Sequence, residues 1–221
     1  MLNLEFWQEQ KINKLLNIFE TDSPLGNYSC VAVTKDAPDG ESQISYGRIQ
    51  SAEFGSLERL LLNYSHEKQA LYSMLIQPFI KHIGQNLLHK DIEFKKLLKL
   101  AGTDPAMQRC QDKLVGDKYF YPAKSWCARN NYELPLTVLV VFDSYIHSGR
   151  MLPFLLVNVK TPKTNEKKWI TEYCVVRLNW LKNHVVPLLN KTVYRPECFL
   201  NQIKLENWDL SKIINFRNHK I

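Results

Sequence analysis

The sequence predicts a mainly α-helical protein of the α+β class with one small β-hairpin near its amino-terminal end. Two observations carry this. Apolar residues recur at i, i+3, i+4 and i+7 in several separate stretches, whereas strand-like segments with turn punctuation are confined to residues about 28–49. The chain has 221 residues, 45% apolar and 23% charged, the composition of a folded globular protein. It reads as one domain over residues 1–221, arranged as two lobes flanking a cleft, with no internal repeat or low-complexity segment.

Ile12, Leu15, Leu16 and Phe19 share one helical face, so residues about 4–20 form a helix, and Glu20 falls where that face ends. Pro24, Gly26 and Asn27 stop it. Tyr28–Thr34 and Ile44–Ile49 read as two strands joined by the turn-rich Lys35–Glu41, so the hairpin tip carries Asp36, Asp39 and Glu41. Ser56 is placed to cap a helix through Leu57, Leu60, Leu61 and Tyr64, and residues about 66–88 continue as helix with a kink at Pro78. Asp104 followed by Pro105 marks another helix start, running through Met107, Cys110 and Leu114. Leu134–Phe142 suits a buried strand by its β-branched content and a buried helix by its length through His147. The helix is preferred because Leu136, Leu139, Val140, Asp143 and His147 then share a face. Trp169, Tyr173, Val176, Arg177 and Trp180 form the stripe of a helix over about 166–184, ended by Pro187. The tail from Val193 mixes short helix and loop and contains Trp208.

A formal charge of +7 favours anionic surroundings: nucleic acid, acidic membrane or an acidic cell-wall polymer. The basic pairs Lys95-Lys96 and Lys167-Lys168 are short and separated, so no nucleic-acid motif is present. Five cysteines without C-x-x-C spacing argue against a zinc site and a disulfide framework. A single His147 on an apolar face reads as a core histidine, so neither metal nor cofactor is expected. The amino terminus lacks a basic start and an apolar core. The expectation is therefore a protein made in the cytoplasm without a signal peptide, acting in the periplasm or outside the cell after specialised export or lysis. No run approaches the ~18 apolar residues of a membrane span, so no membrane insertion is expected.

Glu20 on a helix end and Asp39 on the following hairpin are the residue types that glycoside hydrolysis needs. One acid protonates the leaving oxygen while a carboxylate on the opposite face activates water. Several motifs then fall in a consistent order: Glu20, Asp39-Gly40, Ser45-Tyr46-Gly47, Gly55-Ser56, Gln111-Asp112, Tyr119-Phe120-Tyr121-Pro122-Ala123, and Phe142-Asp143 with His147-Ser148-Gly149. Together they resemble the chitosanases of glycoside hydrolase family 46, in the lysozyme-like superfamily, which implies a two-lobed fold with a central cleft. The resemblance implies Glu20 as general acid, Asp39 as base and Ser45 as the hydroxyl that places the water. Asp143, Arg177 and Arg195 are implied as a supporting charge network, and Tyr46, Arg48 and Ser56 as substrate-binding. The spacing between the Asp and Ser45 differs by one residue from the family pattern, so Asp36 stays a contender for the base.

The departure at Ser56 bears on substrate. In the family pattern an Asp that binds a free amine stands there. Its loss, with the positive net charge, points to an acetylated, anionic β-1,4 amino-sugar polymer such as peptidoglycan. The leading expectation is an inverting muramidase-like enzyme, a cell-wall-degrading antibacterial effector or lysis protein, with an immunity or delivery protein as a further partner. Chitosan hydrolysis is the alternative, and a non-catalytic glycan-binding module is the third reading.

Overall fold

The structure, a computed structural model, describes residues 3–85 and 87–221. The chain divides into two compact units, one of residues 17–116 and one of residues 1–16 with 117–221. Helix α1 (Phe6–Thr21) contributes to both.

The 17–116 unit holds the sheet. β1 (Val31–Thr34), β2 (Gln43–Tyr46) and β3 (Ser51–Ala52) form an antiparallel sheet in that order, with Ser45 opposite Ala32 on one side and Ala52 on the other. Alternation along β2 sends Ile44 and Tyr46 into the core, both fully buried, while Gln43 and Ser45 occupy the other face. That core is completed by α2 (Glu58–Ser65), α3 (Ser73–Ile80), α4 (Ile92–Ala101) and α5 (Pro105–Val115), through Leu60, Tyr64, Ile76, Phe94, Leu98 and Met107.

Two expectations are corrected here. Ser56 does not cap α2: it lies inside a π-helical turn, Glu53–Leu57, that runs directly into the helix, so no free amide awaits its hydroxyl. The helix expected over 66–88 is confined to α3, because turns at Glu67–Ala70 and at His82–Gln85 take up the flanking backbone hydrogen bonds. Asn86 lies outside the described residues.

The other unit is helical: α6 (Tyr121–Arg129), α7 (Pro135–Ser148), α8 (Pro153–Leu156), α9 (Glu166–Lys182), α10 (Pro187–Asn190) and α11 (Tyr194–Lys204). The helix preferred for the stretch from Leu134 through His147 forms as Pro135–Ser148, with Leu134 as its extended N-cap. α7 is buried on every side from Leu136 to Ser144 and is followed by Gly149, whose φ of 74° lies in the left-handed region that favours glycine. Trp126, Tyr132, Trp169 and Tyr173 stack into one aromatic cluster with centroids 5.4–5.8 Å apart. The tail adds a small hairpin that periodicity did not reveal, β4 (Asn215–Phe216) with β5 (His219–Lys220). All five cysteines are free thiols, and no helix among the described residues is long and apolar enough to cross a membrane.

Asp104, the cap of α5, is 2% exposed. It accepts hydrogen bonds from the Tyr64 hydroxyl at 2.5 Å, Leu71 N at 2.8 Å and Ala106 N at 2.9 Å, so one carboxylate ties α2, the turn that leads into α3, and α5 together. Burial opposes its ionisation, yet these donors and Arg109 outweigh it and hold the carboxyl below its usual range. Its stabilisation is therefore present above the ordinary Asp range and lost as pH falls through the depressed value. Asp104→Ala should lower stability by about 2–4 kcal/mol in urea denaturation at pH 7, and by visibly less at pH 3.

Candidate active site

Glu20 sits half-buried in the last turn of α1. The helix stops because Asp22 takes a left-handed conformation at φ 52°, and Gly26 at φ 77° completes the reversal into β1. Asn17, one turn before Glu20 on the same helix, is held from two sides: its amide nitrogen donates to Pro24 O at 3.3 Å, and its oxygen accepts from Arg48 Nη1 at 2.9 Å. Arg48 also donates through Nε to Asp112 Oδ1 at 2.8 Å, and Tyr28 donates its hydroxyl to the same oxygen at 2.9 Å. Gln111 accepts from Arg48 N and donates to Tyr28 O, so α5 clasps the ends of both hairpin strands. Gly47 is required at that clasp. It has φ 85°, and a Cβ there would collide with the Gln111 side chain.

The hairpin treats its acidic residues differently. Asp36 Oδ1 accepts from Thr34 Oγ1 at 2.7 Å and from Gln43 Nε2 at 3.0 Å, and the same Gln43 nitrogen donates to Asp36 O. Gln43 is buried and its oxygen accepts from Phe54 N, so Asp36 is anchored through β2 to the π-helical turn. Asp39 is exposed in the turn closed by Gly40 N to Ala37 O, and its Oδ1 accepts from Glu41 N at 3.0 Å. Ser45 is two residues from Gln43 and on the same strand face, the face that also holds Asp36.

The residues expected to bind substrate are placed otherwise. Tyr46 is fully buried in the core, Arg48 is 7% exposed and engaged as described, and Ser56 is 3% exposed. Each packs inside the unit instead of presenting a polar group outward. Three residues before Ser56, on the same π-helical turn, Glu53 is buried. Its Oε1 accepts from Gly84 N at 3.2 Å, and its buried Oε2 has no hydrogen-bond partner among the described residues. Asn17, Gln43 and Glu53 were not singled out from sequence. Polar residues on an otherwise apolar helix face or short strand were the signal that marks them.

Asp143, Arg177 and Arg195 do come together, within the other unit. Arg177 Nη1 pairs with Asp143 Oδ2 at 2.7 Å and Arg195 Nη1 donates to Asp143 Oδ1 at 2.7 Å, all three residues being at most 4% exposed. Ser144 links Arg177 to the Tyr173 hydroxyl. Burial opposes the charge on Asp143, but the two arginines hold it ionised, below the usual Asp range. Burial and the same cations push His147 down to about 3, so it is neutral at pH 7. No group of His, Cys, Asp and Glu suited to a metal occurs among the described residues.

Charge is unevenly divided. The 17–116 unit carries 11 Lys/Arg against 12 Asp/Glu, a net of −1, while the other carries 18 against 10, a net of +8. The repulsion of a cationic polymer expected from the overall +7 therefore does not arise in the unit that holds Glu20, Asp36 and Asp39.

No family model and no curated relative matches this sequence. Solved structures do. A Gynuella sunshinyii family 46 chitosanase in complex with chitotetraose superposes with a TM-score of 0.84 at 18% identity, over 99% of this chain and 98% of the other. The fold is that of the family 46 chitosanases. Native chitosanase from Bacillus subtilis MY002 gives 0.82 at 19% identity, covering 99% and 100%. A mutant of that chitosanase complexed with 6 GlcN gives 0.80 at 19%, covering 97% and 96%. The chitosanase fold thus spans both units of this chain.

The buried Asp143 cluster yields a stability prediction. Asp143→Asn leaves two buried guanidinium groups without their counter-charge, and should cost about 3–5 kcal/mol in denaturant unfolding at pH 7. In the parent protein the contribution of Asp143 is retained above the ordinary Asp range and lost as pH falls through its lowered value. A second prediction concerns Arg48, the link between α5 and the Glu20 turn. Arg48→Met should lower stability by about 2 kcal/mol and lose more activity than that destabilisation explains at a temperature where the variant is still folded.

Proposed function

We propose that this protein is an endo-acting glycoside hydrolase that cleaves β-1,4 bonds of an amino-sugar polymer of the chitosan type, with inversion. One observation carries the reading: the whole chain shares its fold with family 46 chitosanases, and a helix-end glutamate is followed by a carboxylate-bearing hairpin within one unit. Glu20 protonates the bridge oxygen, and a hairpin carboxylate draws a proton from water attacking the opposite face of the sugar. Asp36 suits the base better than Asp39. Its carboxylate is fixed by Thr34 and buried Gln43 on the strand face that also carries Ser45, whereas Asp39 closes a turn.

The substrate assignment rests on charge as well as on fold. A unit of net −1 does not repel a polyamine. Peptidoglycan is the second reading, favoured by Ser56 in place of the pattern's Asp. It would bring with it action outside the cytoplasm and a delivery or immunity partner.

Reducing-end release from soluble chitosan, run beside purified sacculi, tests this. Glu20→Gln and Asp36→Asn should each lower the chitosan rate by about 10²–10⁴-fold, and Asp39→Asn should change it by no more than a factor of a few. NMR of the first product should show the inverted anomer. Undiminished activity of Glu20→Gln would end the hydrolase reading. Cleavage of sacculi alone would select peptidoglycan, and glycan binding without new reducing ends would select a non-catalytic module.

A further inference from the structure

The surplus of +8 lies in the unit without the candidate carboxylates, and part of it is gathered on one face. Residues 161–168 border two neighbouring surface hollows of about 420 Å³ each. One is lined by Thr161, Lys167, Lys168, Thr171, Glu172 and Trp208. The other is lined by Arg129, Asn130, Asn131, Lys163, Thr164 and Glu166. Each hollow is flanked by an indole bearing a lysine: Lys167 Nζ lies 5.1 Å from the ring centre of Trp208, and Lys163 Nζ 5.7 Å from that of Trp126.

The two carboxylates that line the hollows offset only part of this charge. Glu166 accepts from the backbone amides of Glu133 and Leu134, and Glu172 from those of Lys160 and Thr161. Both fasten loops and keep their negative charge, and Glu172 also attracts the Lys160 ammonium. Among the described residues, Arg129, Lys160, Lys163, Lys167 and Lys168 form no ion pair: Arg129 bonds Ser125, Lys160 the Val157 carbonyl, and Lys163 the Asn130 side chain. Five cations therefore face solvent beside two indoles, with threonine hydroxyls and asparagine amides between them.

We infer that this face, on the unit without the candidate carboxylates, is a binding surface for a carboxylated polysaccharide, an inference independent of the hydrolase reading. Hollows of this size suit one or two sugar rings each. The indole edges and lysine stems offer apolar walls to sugar C–H faces, and the ammonium groups beside them meet carboxylates. Nucleic acid is the less apt occupant, because bases need an open aromatic face and each indole here already carries a lysine. The surface would hold the protein on an acidic glycan while the net −1 unit works on its own substrate.

The test is titration calorimetry of the full chain with polygalacturonate at low ionic strength, with single-stranded poly(dT) and neutral cellulose oligomers in parallel. Polygalacturonate should bind, with affinity falling steeply as salt rises. The double variant Lys163→Glu/Lys167→Glu should weaken it at least tenfold, and Trp208→Ala should weaken it while leaving the salt dependence intact. Both variants should hydrolyse a short chitosan oligomer at the parent rate, if the parent does so at all. Equal binding by parent and double variant, no binding by the parent, or tighter binding of poly(dT) than of polygalacturonate would each overturn the inference.

Discussion

Arg48 is the constraint on which the candidate site depends. It is a buried cation, and a buried cation is tolerated only with its donors satisfied. Its partners lie on two different elements: Asp112 on α5 and Asn17 on α1, one turn before Glu20. Gln111 fixes its backbone nitrogen from the same helix. The position of the last turn of α1 relative to the sheet is therefore set by side-chain geometry, not by the loop between them. This explains why Gly47 must lack a side chain and why Tyr28 is held by the same carboxylate: the strand ends, α5 and α1 meet in one hydrogen-bonded knot.

The hairpin shows the same economy. Alternation along a four-residue strand sends Ile44 and Tyr46 into the core and leaves Gln43 and Ser45 on the other face, so packing on one side fixes chemistry on the other. Gln43 then spans Asp36 and the π-helical turn, and no longer-range contact is needed to orient that carboxylate. In the other unit, Asp143 with Arg177 and Arg195 makes a second buried charge cluster, where one carboxylate offsets two cations and burial keeps His147 neutral.

The uneven charge joins these local facts to function. A chain of +7 read as a whole suggests an anionic substrate, yet the unit that holds the candidate carboxylates is nearly balanced, and the surplus belongs to the other unit, part of it beside Trp126 and Trp208. Net charge is a property of the sequence, and its division between compact units is a property of the fold.

The sequence by itself determined the class of fold, the helices with clear 3.6-residue periodicity, the hairpin, the Asp104-Pro105 start and the choice of helix for 134–147. These signals are local, carried by side-chain spacing and turn residues. It also marked Glu20, Asp36, Asp39, Asp143 and Arg177, because polar residues at the ends or on the apolar faces of elements stand out in one dimension, whereas Arg195 came only from the resemblance to the chitosanases. Tertiary structure alone decided that Arg48 and Tyr46 are internal supports, that Ser56 sits inside a π-helical turn, that Gln43 fixes Asp36, and that the surplus of positive charge belongs to the unit without the candidate carboxylates. Each of these depends on which residues distant in sequence become neighbours, and burial, pairing and local field exist only once the chain has folded.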